Sequence, residues 1–116
     1  MLKGAIAAHA AWSARLKAAI VSGKLDVPVS TVRADNQCQF GKWLYGAGTS
    51  AGEAQTENYR QAKQLHAQFH DEASKVAQLA ILSQKAAAEQ AMGPSSEYAK
   101  ISSALTGVLT RWSAAA

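Results

Sequence analysis

Cysteine, proline and clustered charge are all scarce in this 116-residue chain, and each scarcity excludes something. A single cysteine, Cys38, rules out a disulfide framework within the chain. The longest stretch without Asp, Glu, Lys or Arg runs only from Gly4 to Ala14, well short of the roughly 18 apolar residues of a membrane span. No membrane insertion is expected. No five-residue window is rich in Lys or Arg, so the formal charge of +4 is spread over a mixed surface and forms no nucleic-acid face. Aromatic residues make up 7% and do not interleave with basic ones as a base-stacking platform requires.

What is present fits one globular domain covering residues 1–116, long enough to bury roughly two-thirds of its unfolded surface. The opening Met1-Leu2-Lys3 precedes an Ala-rich run that carries His9 and Trp12, a poor signal-peptide core, so it reads as a helix of the mature protein. With no secretory signal and one unpaired thiol, a reducing cytoplasmic setting is expected.

Helical periodicity divides the chain into four segments. Leu2, Ile6, His9, Leu16 and Ile20 line one face of a first helix that Gly23 ends. From Lys24 to Asn36 the valines and Pro28 predict a partly extended connection. Asp35 or Asn36 can then cap a short helix carrying Cys38, Phe40, Trp43 and Leu44, closed by Gly46, Gly48 and Gly52. A long helix is predicted from about Glu53 to about Met92, with Tyr59, Ala62, His66, Phe69, Ala73, Val76 and Ala80 as its apolar seam. Met92-Gly93-Pro94 stops it, and a last helix from about Ser96 places Tyr98, Ile101, Leu105, Val108 and Trp112 on one stripe. Together these predict an all-α fold, an antiparallel four-helix bundle with an additional short helix carrying the cysteine. Phe40, Trp43, Phe69 and Trp112 read as core. Ala86, Ala87, Ala88 and Ala91 can serve a dimer interface or simply favour helix.

The three histidines and the cysteine carry the chemistry, because imidazole nitrogen and thiolate sulfur are the preferred donors for zinc. His66 and His70 form H-x-x-x-H, and four residues of helix bring both rings to one face. His9 and His66 each replace an expected apolar residue in a buried stripe, where a polar ring needs a partner. Cys38 opens the short helix, where free amides favour a thiolate. A bundle can deliver three nitrogens and one sulfur from three separated segments, a full tetrahedral set.

The segments His9-Ala10-Ala11-Trp12, Cys38-Gln39-Phe40-Gly41-Lys42-Trp43-Leu44 and His66-Ala67-Gln68-Phe69-His70 resemble the chemoreceptor zinc-binding domain family. Its members carry H-x-x-[WF], C-x-[FL]-G-x-W and H-x-x-x-H in that order. The resemblance implies one zinc ion held by His9, Cys38, His66 and His70, usually in a homodimer. It also implies a regulatory role beside a methyl-accepting chemotaxis hairpin or a diguanylate cyclase, in cis or as a partner in trans, with zinc or oxidants such as hypochlorous acid as input. Neither output domain occurs in the 116 residues, so the expectation is an excised domain or a free-standing member.

Competing readings make different demands. A zinc protease needs Glu directly after the first histidine of H-x-x-x-H as general base, and Ala67 stands there. Four protein donors also leave no position for a catalytic water, so no enzyme activity is expected. A helical adaptor with a purely structural zinc is the remaining alternative.

Overall fold

The computed structural model describes residues 2–46 and 56–115. Among them lie six helices and no strand: α1 Leu2–Ser22, α2 Val29–Arg33, α3 Gln39–Tyr45, α4 Glu57–Ile81, α5 Lys85–Ala91 and α6 Glu97–Ala115. The expected all-α bundle is observed. Leu16, Phe69, Ala73, Val76, Leu105 and Leu109 form its middle, each at most 1% exposed.

Contacts at the two ends give the directions. α1 meets α4 where the His9 and His66 ring centroids stand 4.8 Å apart, and again where a Cβ on Gly23 would come within 3.5 Å of Ser83 Oγ. These two helices therefore run the same way. α6 runs against α4, since Tyr98 packs on Phe69 at 5.5 Å and Trp112 on Tyr59 at 6.2 Å. The Ser13–Tyr98 hydroxyl bond of 3.2 Å ties α6 to α1 as well. The antiparallel pairings are those of α6 with its two neighbours. The chain returns from the end of α1 to the start of α4 through the segment that contains α2 and α3.

The helices depart from the sequence expectation in several places. The helix predicted from about Glu53 to about Met92 is two helices, broken at Leu82–Gln84, where Ser83 adopts a left-handed φ of 59°. After the break Ala88 packs into the core, whereas Ala86 and Ala87 face solvent, so the alanine row is not one face. The connection expected to be extended contains α2 instead. Pro28 supplies a fixed φ of −63° at its start, and the full burial of Val32 outweighs the poor helix propensity of valine.

The cap of α3 is Cys38 itself, whose Sγ accepts from the Gly41 amide at 3.3 Å; neither Asp35 nor Asn36 fills that role. Gly46 ends α3 as expected, while Gly48, Gly52 and Glu53 lie outside the described residues. Gly23 takes the left-handed turn after α1 at φ 72°, its amide bonded to the Ala19 carbonyl. Gly93 ends α5 without a left-handed φ, and Ser96 caps α6 by accepting from the Ala99 amide at 3.1 Å.

Candidate metal centre

The fold brings all four sequence-predicted donors together. One ligand atom from each of His9, Cys38, His66 and His70 lies within 4.8 Å of the others. α1 supplies His9, the start of α3 supplies Cys38, and adjacent turns of α4 supply His66 and His70. Cys38 Sγ stands 3.3 Å from His66 Nε2 and 3.7 Å from His70 Nε2, and the two Nε2 atoms are 3.0 Å apart.

Backbone carbonyls orient two of the rings. His9 Nδ1 donates to the Ala5 carbonyl at 2.7 Å and His70 Nδ1 to the Val32 carbonyl at 2.8 Å. A carbonyl only accepts, so each of these nitrogens carries the proton and, in the neutral ring, leaves the Nε2 lone pair facing the cluster. His66 differs, because its Nδ1 is buried without a hydrogen-bond partner. The His66 ring packs edge-on against Phe40 at 5.0 Å and against His9 at 4.8 Å.

Burial controls the protonation of the set. It lowers His9 to about 4, against the opposing bond to Ala5, with the charge of His70 adding to the fall. It lowers His66 to about 2, assisted by the charges of His70 and His9. His70 is also lowered by burial, opposed by its Val32 bond and by Asp35. Three imidazoles neutral at pH 7 are three available lone pairs. Burial pushes the Cys38 thiol up, and the amides of Gly41 and Phe40 only partly offset it. The helix-start effect expected to favour the thiolate is therefore the smaller of the two, and a nearby cation would favour ionisation of this half-buried sulfur.

The donor set fits zinc. Bonds of about 2.0–2.1 Å to nitrogen and 2.3 Å to sulfur in a tetrahedron put nitrogens about 3.3 Å apart and sulfur about 3.6 Å from each nitrogen. The observed S–N separations of 3.3 and 3.7 Å lie on either side of the S–N edge, and the N–N separation of 3.0 Å is slightly shorter than its edge. Burial of His66 and His70 to 0% and 2% exposure adds the low-dielectric surroundings that strengthen such bonds.

Two clefts flank the cysteine. One of about 260 Å³ reaches Cys38 and His70 past Trp12, Arg15 and Gln37. Another of about 380 Å³ reaches Cys38 and His9 between Gly4, Ala8 and Phe40. Trp12 holds the Arg15 guanidinium 3.9 Å over its ring, and Arg15 also pairs with Asp26 at 3.1 Å. Phe40, Phe69 and Trp112 are core as expected, whereas Trp43 is half-buried, stacking on Phe40 and leaning on Trp112.

Sequence reasoning did not find the Ala5 and Val32 carbonyls, since backbone acceptors carry no side-chain signature. Nor did it find the bond from the Tyr45 hydroxyl to the Asp35 carboxylate.

A protein-family model described as the chemoreceptor zinc-binding domain matches residues 9–77, more than half of the chain. That span begins at His9 and includes the other three donors. No curated protein and no solved structure matches the chain.

Proposed function

The chain belongs to the chemoreceptor zinc-binding domain family, and from that membership we propose that it is a sensory and regulatory module in which His9, Cys38, His66 and His70 hold one zinc ion. The observation that carries this reading is the convergence of three imidazoles and one thiol to within 4.8 Å. When bound, zinc would supply the positive charge that keeps Cys38 a thiolate and would join α1, α3 and α4 at one point. Four protein donors complete a tetrahedral set, which argues for regulation over catalysis.

The residues divide the labour. His66 and His70 sit on a 25-residue helix and His9 on a 21-residue one, so three donors are mounted on long, well-packed elements. Cys38 opens a seven-residue helix next to a loop and is only half-buried. It is therefore the donor that a change of state moves most easily. Both clefts reach it. A two-electron oxidant such as hypochlorous acid converts a thiolate to sulfenate while chloride leaves, and a sulfenate sulfur is a weaker metal donor. Zinc supply and oxidants are thus the two inputs proposed, converging on one sulfur.

The proposed setting is cytoplasmic, as a homodimer that controls a methyl-accepting chemotaxis hairpin or a diguanylate cyclase in the same chain or a partner. Among the described residues no helix is long and apolar enough to cross a membrane.

Metal analysis tests the reading. About one zinc per chain is expected in the wild type at neutral pH, with marked loss in Cys38→Ser, His66→Ala and His70→Ala. Equal zinc content in all four proteins overturns it.

A further inference from the structure

Cys38 is the donor held least firmly by its own helix, so whatever fixes the approach of residues 34–37 to α3 sets where its sulfur points. We propose that Tyr45 is a positioning residue for the Cys38 ligand, acting through Asp35 by a clasp that closes the segment 35–45 over Gly41. The inference rests on the zinc reading above.

Two contacts on one face of α3 make the clasp. At Gly41 the backbone of the incoming loop lies directly on the helix: a Cβ there would stand 1.8 Å from the Asp35 carbonyl oxygen and 3.0 Å from Asn36 Cα. One turn later, on the same face, the Tyr45 hydroxyl donates to Asp35 Oδ2. Asp35 is thereby gripped by its main chain and its side chain, three residues before the ligand. Between the two grips the Cys38 sulfur accepts from the Gly41 amide at 3.3 Å and comes to 3.3 and 3.7 Å from the Nε2 atoms of His66 and His70.

The clasp is also tied to the helix that carries the histidines. Tyr59 of α4 donates to the Leu44 carbonyl at 2.7 Å, and the Lys63 ammonium of α4 sits 4.8 Å over the Tyr45 ring. Tyr45 itself is 47% exposed. Its hydroxyl is not buried in the core, so removing one oxygen changes the Asp35 contact and little else.

The test compares wild type with Tyr45→Phe, Asp35→Ala and Asp35→Asn. Three readouts are zinc affinity by chelator competition, the thiolate-to-metal charge-transfer band with Co²⁺, and the rate at which the metal-free thiol reacts with an aromatic disulfide. Tyr45→Phe and Asp35→Ala should each weaken zinc about ten-fold, the usual size of an outer-shell loss. Each should lower the Co²⁺ band and speed the metal-free thiol several-fold. Their double variant should be no worse than either alone, because both break the same contact. Asp35→Asn, which keeps an acceptor oxygen, should stay close to wild type. The melting temperature of the metal-free protein should move by only a few degrees.

Variants indistinguishable from wild type in all three readouts overturn the clasp and leave the zinc reading intact. Wild-type protein that binds zinc without a thiolate band for Co²⁺, or binds neither metal, overturns both.

Discussion

The Nε2 atoms of His66 and His70 lie 3.0 Å apart, one helical turn along α4, with neither residue more than 2% exposed. Two lone pairs repel each other at that distance, which leaves no room for a water between them. Either His66 donates its Nε2 proton to His70, or a cation stands between them, and with His9 and Cys38 beside them the cation has four donors. The arrangement is poised between a proton and a metal ion, and most of the expected behaviour follows from that choice.

Zinc should stabilise the fold, because the donors come from three separate elements that unfolding pulls apart. At free zinc a thousand-fold above Kd the stabilisation is about 4 kcal/mol, a rise in Tm of roughly 15 °C. A strong chelator should reverse it. Cys38→Ser should abolish most of the zinc-dependent rise while barely changing the metal-free Tm, and thermal denaturation with and without zinc checks both.

Acid should destabilise the metal-free protein. Unfolded histidines take up protons near pH 6.5, whereas the folded chain refuses them until about 4 at His9 and about 2 at His66. The unfolded state therefore binds more protons between those limits, and stability rises with pH through that window. It is fully present above pH 6.5 and falls steadily from there toward pH 4. Urea midpoints measured at pH 7.5, 5.5 and 4.5 should decrease in that order; a flat series contradicts the burial of these rings.

Gly41→Ala should cost about 2–3 kcal/mol, because the added methyl meets main chain that cannot swing aside. The loop that carries Cys38 must lift off α3, so zinc affinity should fall with stability. Gly4→Ala, where a Cβ meets nothing within 4 Å, is the matched control and should be neutral or slightly stabilising. Chemical denaturation with a zinc titration separates the two.

Ser83→Gly should stabilise by about 0.5–1 kcal/mol, since a side chain at φ 59° carries a cost that glycine escapes. Ser83→Val should destabilise by at least as much. Denaturant midpoints at equal slope test the pair and, with it, the break between α4 and α5.

The four candidate donors that the fold brings together were legible in the sequence because they are chemically unlike their surroundings. His9 and His66 interrupt apolar stripes, His70 follows at helical spacing, and Cys38 is the only thiol. The break after α4 was not legible. Ala80, Ala88 and Ala91 keep an approximately helical period across it, and neither glycine nor proline stands at Ser83 to mark its left-handed turn. α2 was hidden for the opposite reason, since Val29 and Val32 argue locally against a helix that tertiary burial nonetheless secures. The shared direction of α1 and α4 was likewise beyond reach, because a helical stripe says which face is buried and not which way its neighbour runs.

X-ray absorption at the zinc edge of the purified wild-type protein probes the central claim most directly. The account predicts one sulfur at about 2.3 Å and three imidazole nitrogens at about 2.0–2.1 Å, with the sulfur shell lost in Cys38→Ser. A zinc ion surrounded only by nitrogen and oxygen, or protein that takes up no zinc at all, would contradict it.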